Sequence, residues 1–511
     1  MFCKTYSIAL QGIEGCIVNV EADICDGLPL FSMVGYLSSE VKEAKDRVRI
    51  ALKNSGYKLL PKHITINLSP ADIRKEGTLY DLPVAISVLC SFGYIPESFL
   101  KDTILVGELS LNGEIVSVNG ILPMVHLAKE HGFKRCLVPK VNAREGAVVE
   151  GIDVIGVRNL KEAADYLAGT IEISPQKVDV KALLSNDWQL EELDFADVVG
   201  QESLKRAICV AVAGMHNLLM IGPPGVGKTM VARRIPGIMP ELSFDESIRI
   251  SKIYSIVGQL DLEKGLIGTR PFRAPHHSVT STALIGGGMR PKPGEVSLAT
   301  GGVLFLDEFP EFPKQMIEML RQPLEDRKVT LSRLEYSCSY PADFQLIGAM
   351  NPCPCGYYPD IQRCRCTPMQ IKRYINKISQ PLLSRIDICA EAKETEYQDI
   401  SADEKQVSTK DMREMVMVAR KWQTQRYQSE NITFNGQLTP VLMKKYCRLT
   451  KEAKEYIEEC FQRMDMNLRV YHRILKVART IADMAQSEEI LLEHVEEAVF
   501  YKSLDKKYWE N

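Results

Sequence analysis

The octapeptide Gly222-Pro223-Pro224-Gly225-Val226-Gly227-Lys228-Thr229 restricts this chain more than any other feature, because of what flanks it. Leu218-Leu219-Met220-Ile221 before it is an apolar run suited to a buried strand, and Met230–Arg234 after it is compatible with a helix. Strand, glycine-rich turn and helix in that order let backbone N–H groups turn inward around phosphate oxygens. Lys228 then reaches the β- and γ-phosphates, Thr229 offers a hydroxyl to Mg²⁺, and the helix N-terminus favours the anion. A glycine-rich turn can match this pattern by accident, but not readily with both flanks in place. The setting it demands is a parallel α/β sheet with the nucleotide at the carboxyl ends of its strands.

Two later runs fit that sheet. Val303-Leu304-Phe305-Leu306 is a continuous apolar run of the kind that fills a central parallel strand, and it ends in Asp307 and Glu308. Asp307 is placed to hold Mg²⁺, and Glu308 to orient and deprotonate an attacking water. Phe344–Met350 ends in Asn351, a neutral amide able to hold that water or sense the γ-phosphate. Each has a plainer alternative, a helix cap for the acidic pair and a turn before Pro352 for the asparagine. Arg385 and Arg469 are candidates for stabilising transition-state charge, Arg385 on a neighbouring subunit's ATP and Arg469 by closing over the bound γ-phosphate. Taken singly, each is better explained by a surface salt bridge.

At 511 residues the chain exceeds what one core supports, and roughly three domains are expected. Residues 1–170 alternate strand-like runs (Cys16–Val20, His63–Leu68, Cys136–Pro139) with a helical pattern over Ser39–Asn54, which favours an α+β or α/β domain. Residues 171–193 lose periodicity and read as a linker. Residues 194–393 carry the nucleotide motifs, and 394–511 turn helical. The composition, 45% hydrophobic and 25% charged, is that of a soluble globular protein, and a net charge of −3 gives no global attraction to nucleic acid. No apolar run approaches a membrane span, and the start lacks a secretory pattern. The 14 cysteines are expected to stay reduced, and the expected compartment is the cytoplasm.

Four of those cysteines stand apart. Cys353, Cys355, Cys364 and Cys366 form two C-x-C pairs within one short loop, enough thiolates for a tetrahedral Zn²⁺ site, with redox-labile or structural thiols as the alternative. Arg363, Arg365, Lys372 and Arg373 crowd around them. Residues 264–294 bring Arg270, Arg273, His276, His277, Arg290 and Lys292 into a Gly- and Pro-rich insertion, and 327–341 alternate like a β-hairpin bearing Lys328 and Arg333. For each basic residue around the cysteines a solvated surface is the favoured alternative to a phosphate contact, and His276–His277 have metal ligation as their alternative, with no acidic or cysteine partner nearby in sequence.

In this order the elements resemble AAA+ ATPases, and Asp194–Gln201 is similar to the segment that contacts adenine in that superfamily. Thr269–His277, Gly286–Gly288, Pro293–Ala299 and Asn351–Tyr357 resemble more narrowly the magnesium-chelatase-like competence family (ComM/YifB type). The resemblance implies an AAA+ P-loop core with a helical carboxy-terminal lid, preceded by a Lon-protease-like domain. It implies a hexameric, ATP-driven motor that promotes DNA branch migration, and it matches Lys228 and Thr229 to the P-loop, Asp307 and Glu308 to the hydrolysis pair and Asn351 to the first sensor. Arg385 matches the arginine finger, with Ser384 where the family carries an acidic residue. Arg469 matches the second sensor, with different flanks, and Gln201 belongs to the nucleotide-binding segment. The two insertions are those that line the central pore in related motors.

Gly107–Gly120 resembles the Lon protease domain. The positions of its nucleophile and base fall on Leu79 and near Leu122, and the nearest serines, Ser69 and Ser87, sit poorly for the motif. A Ser–Lys dyad needs both groups, so peptidase activity is not expected. Chelatase-type and chaperone-type remodelling remain alternatives, the first opposed by the Lon-like domain, which the chelatase motor subunits are expected to lack.

Overall fold

The computed structural model describes residues 1–184, 193–289, 291–332, 337–394, 406–464 and 466–509. Two compact units emerge, and they are not consecutive in sequence. One joins Met1–Ser185 to Phe244–Gly268, and the other joins Asn186–Ser243 to Thr269–Asn511. Among the described residues no helix is long and apolar enough to cross a membrane.

The first unit is built on a seven-stranded mixed sheet. Its strands are β1 (Phe2–Gln11), β2 (Glu14–Cys25), β3 (Leu30–Val34), β4 (His63–Ser69), β5 (Thr103–Leu105), β6 (Arg135–Pro139) and β7 (Asp153–Val157), in the order β3-β4-β2-β1-β5-β6-β7. β4 alternates buried and half-buried residues, as a strand with one face on a core must. The helical pattern at Ser39–Asn54 resolves into Ser39–Lys42 and Ala44–Asn54. Within 171–193, Val180–Leu184 is a short helix, and Ile173, Val178 and Val180 pack on the unit's apolar clusters. The remainder of that stretch, 185–192, lies outside the described residues.

The helix Phe244–Val257 belongs to this unit although it follows the phosphate-loop helix in sequence. Ile248 joins the cluster of Ile121, Leu122 and Val125, and the Ser255 carbonyl accepts the Gly120 N–H at 3.1 Å. Buried Glu145 ties the junction, accepting from the Ser255 hydroxyl and the Leu122 N–H.

The second unit holds a five-stranded sheet that is parallel throughout. Its strands are β8 (Leu218–Ile221), β9 (Phe272–Arg273), β10 (Val303–Leu306), β13 (Gln345–Met350) and β14 (Ile388–Glu391), in the order β9-β10-β13-β8-β14. All four residues of β8 and of β10 are buried, which is why those runs are apolar without alternation. A separate hairpin, β11 (Lys328–Ser332) with β12 (Ser337–Pro341), realises the alternation at 327–341, of which 333–336 lie outside the described residues. Thr409–Arg426, Pro440–Tyr446, Lys451–Arg463, Leu468–Met484 and Leu492–Trp509 make the helical carboxy-terminal part.

Candidate active site

Parallel pairing with Ile221 opposite Met350 and Leu306 opposite Gly348 brings three strand ends to one edge. The phosphate loop leaves β8 there, Asp307 and Glu308 leave β10, and Asn351 leaves β13. Gly225 and Gly227 adopt φ of 82° and 84°, the left-handed region that a Cβ disfavours, and Gly227 caps the helix Lys228–Ile238.

Lys228 folds back over the loop. Its ammonium donates to Gly222 O at 2.6 Å, Pro223 O at 2.7 Å and Asn351 Oδ1 at 3.0 Å. Burial draws its pKa down to about 8, against the pull of the Asp307 and Glu308 charges. All three acceptors are neutral, so the cation is set to bind an anion. The Thr229 hydroxyl donates to Asp307 Oδ2 at 2.5 Å, a hydroxyl–carboxylate pair of hard oxygens that suits Mg²⁺. The other Asp307 oxygen accepts the Glu308 N–H at 2.9 Å. Glu308 has φ of 49°, rare for a residue with a side chain, and its carboxylate is 60% exposed beside His277 Nδ1 at 3.5 Å. The sequence pattern at His276–His277 does not announce that neighbour.

The opposite edge of the same sheet carries both arginines. Leu218 pairs with Ile388, so Arg385, three residues before β14, lies at the amino end of strands whose carboxyl ends hold the phosphate loop. Asn217, just before β8, fixes it there by donating to Arg385 O at 2.9 Å and taking Asp387 Oδ2 on its own N–H. Arg385 Nη2 bonds Glu325 Oε1 at 2.6 Å, and Arg469 Nη2 approaches the same oxygen at 3.4 Å. One turn further along that helix, Arg473 pairs with Asp387. Arg469 therefore does not stand over its own chain's Lys228. No sequence motif marks Glu325, the carboxylate that joins the two arginines.

Gln201 spends both ends of its side-chain amide on Lys393, donating to its carbonyl and accepting its N–H at 3.1 Å. Any adenine contact at this position is left to backbone. Two basic residues of the 264–294 insertion are internal struts rather than nucleic-acid contacts. Arg270 is buried and donates to the carbonyls of Pro240, Glu241 and Gly301, and Arg273 pairs with both oxygens of Glu295 at 2.6 and 2.7 Å. The short hairpin Gly286–Gly287 with Lys292–Pro293 packs on the β11–β12 hairpin, where the Tyr340 hydroxyl donates to Pro291 O at 2.8 Å. Lys292 and Lys328 are exposed on this joint block, and Met289 is 96% exposed at its tip. Arg290 and Arg333 lie outside the described residues.

The four-cysteine loop closes on itself. Cys353, Cys355, Cys364 and Cys366 place their sulfurs within 4.8 Å of one another, with Cys353–Cys355 at 3.3 Å and Cys353–Cys364 at 3.7 Å. Zn–S bonds of about 2.3 Å set tetrahedron edges of about 3.8 Å, so the sulfurs stand near the spacing that such a site needs. Gly356 inside the loop lies against the phosphate loop, and a Cβ there would meet Pro224 Cδ at 2.4 Å. Arg363 is engaged with Glu394 at 2.6 Å and stacks on Tyr357, so it is no free phosphate ligand.

In the first unit Leu122 is fully buried, and Leu79 packs against the same apolar cluster. The two positions where a Lon protease keeps its dyad are thus filled with hydrocarbon. Ser87 donates to Val84 O within its own helix, and Ser69 accepts from Asn19.

Three family profiles match the chain: magnesium chelatase subunit ChlI over residues 194–400, subunit ChlI of Mg-chelatase over 20–142, and the ChlI carboxy-terminal part over 406–502. The competence protein ComM of Haemophilus influenzae is 39% identical over 500 residues, 98% of this chain and 97% of that protein. The YifB protein of Escherichia coli K12 is 40% identical over 503 residues, 98% of this chain and 96% of its own length. Lon protease 2 of Bacillus subtilis is 36% identical over 197 residues, 34% of this chain. Because a ChlI profile also covers residues 20–142, the amino-terminal domain does not by itself separate this chain from chelatase-type subunits.

Proposed function

The chain belongs to the magnesium-chelatase-like competence protein family of the ComM/YifB type, AAA+ ATPases with a Lon-protease-like amino-terminal domain, and from that premise we propose that it is the subunit of an ATP-driven homo-hexameric ring that remodels or branch-migrates DNA. One observation carries the ring. Lys228, Thr229, Asp307 and Asn351 gather at one edge of the sheet, while Arg385 and Arg469 stand together at the other. Each edge is half of a hydrolytic site, and a second copy supplies the complement.

In this reading Lys228 binds the phosphates and Thr229 with Asp307 holds Mg²⁺, which when bound neutralises charge on the triphosphate. Glu308 takes the proton of the attacking water, and Asn351 holds that water or reports the γ-phosphate. DNA as the object moved is supported by the competence relative and by the joined hairpins that present Lys292 and Lys328.

The test is the purified chain with ATP, a synthetic four-way junction, linear duplex and casein. Junction migration is expected, together with DNA-stimulated hydrolysis and intact casein, and Lys228→Ala abolishes both activities. No strand movement and no DNA stimulation would sink the DNA reading in favour of a chelatase- or chaperone-type remodeller.

For the cysteine loop we propose bound Zn²⁺ as a structural brace behind Pro224. About one equivalent per chain is expected by elemental analysis, and Cys364→Ser lowers both zinc content and ATP affinity. Less than about half an equivalent in the parent protein counts against the site.

A further inference from the structure

We propose that Glu325 is the positioning residue that presents Arg385 and Arg469 together to the γ-phosphate of the adjacent subunit's ATP. The proposal rests on the ring reading above and adds to it the group that assembles the arginine half of the site.

Two guanidiniums that share one target repel each other, and bringing them together requires an anion between them. Glu325 Oε1 meets Arg385 Nη2 at 2.6 Å and Arg469 Nη2 at 3.4 Å, and among the described residues no other carboxylate bonds either side chain. The two arginines are differently held. Arg385 is buried, with its side chain 5% exposed and Nη1 donating to Pro381 O at 2.5 Å, whereas the Arg469 side chain is 53% exposed. Glu325 thus joins a buried cation to an exposed one. It gives Arg469, on an exposed first turn of the helix Leu468–Met484, a fixed direction it would otherwise lack.

The location fits that role. A cavity of about 750 Å³ opens on this edge, lined among others by Glu325, Arg385, Arg321 and Ser281. Glu325 lies in the helix Arg321–Asp326, which runs directly into the hairpin strand β11. The segment that positions the arginines is therefore continuous with the block proposed to touch DNA. The sequence has Ser384 where an acidic neighbour of the arginine was expected, and Glu325 supplies the carboxylate from another element.

The experiment compares Glu325→Gln and Glu325→Asp with Arg385→Ala and Arg469→Ala in full-length protein. It measures kcat, KM for ATP and assembled mass. Glu325→Gln keeps the shape and removes the charge, and its kcat is expected to fall about tenfold or more with KM for ATP within about twofold. Glu325→Asp recovers part of the loss. Mixed rings of Glu325→Gln and Glu308→Gln subunits are expected to turn over faster than either parent, because some interfaces then pair an intact Glu308 with intact arginines. A fold-supporting glutamate would not complement in this way. Parental turnover in Glu325→Gln with both arginine variants inactive overturns the proposal and leaves the ring reading intact. Parental turnover in the arginine variants too removes the ring reading itself. Loss of assembly in both Glu325 variants, with normal turnover per assembled ring and no complementation, assigns Glu325 to folding and overturns the proposal.

Discussion

The Glu308→Gln protein is expected to bind ATP as the parent does and to hydrolyse it about a hundredfold more slowly or worse. The substitution exchanges one carboxylate oxygen for an amide nitrogen and leaves length and shape alone. Glu308 makes its short contacts through its backbone, the N–H donating to Asp307 Oδ1 and the carbonyl accepting the Glu311 N–H at 2.7 Å, and its side chain lies largely exposed near His277. Removing the charge therefore disturbs neither the Thr229–Asp307 pair nor the Lys228 cradle. What is lost is the base. The left-handed backbone at Glu308 is as strained with Gln as with Glu, so stability stays close to the parent's. Equilibrium nucleotide binding and phosphate release, measured on the same preparation, separate the two steps. Turnover within about threefold of the parent would remove Glu308 from the role of general base, which is worth about 10²–10⁴-fold.

The parts of this site that could be read from sequence are those in which one short segment carries both its shape and its chemistry. Strand β8 and its loop, strand β10 with Asp307–Glu308 and strand β13 with Asn351 each combine a buried apolar run with a polar residue at its end. An all-buried parallel strand has no other way to expose function. Partner choice across the chain was not legible. Arg270 and Arg273 sit among glycines and prolines, a composition shared by a pore loop and by an internal strut, and only the fold shows carbonyls around one and Glu295 around the other. The helix Phe244–Val257 has an ordinary apolar pattern, and nothing in that pattern names the core it joins. Glu325 and the two arginines lie 60 and 144 residues apart in sequence, and no local signal spans such distances.

Arg385→Ala is expected to leave ATP affinity nearly unchanged and to lower kcat by about 10³-fold, the scale on which an arginine supplied in trans acts in phosphoryl transfer. Separation of the two edges is the reason. Arg385 precedes β14 at the amino end of the sheet, and Lys228 follows β8 at the carboxyl end, so in the proposed reading the guanidinium stands away from its own chain's nucleotide. Ground-state binding on that chain rests on the phosphate loop and Asp307, all intact in the variant. An interaction made only as charge develops lowers kcat without raising KM, and it weakens a transition-state mimic by the same factor. ADP–aluminium fluoride should therefore lose affinity in parallel with kcat, whereas ATP measured in a Glu308→Gln background should not. The substitution also empties a buried position and leaves Glu325 to Arg469 alone, so melting temperature is followed beside the kinetics. A loss that appears as lower stability with kcat unchanged would mark Arg385 as a buried strut. A rise in KM for ATP with kcat unchanged would place it in ground-state binding, and either result would leave the second half of the site to Arg469.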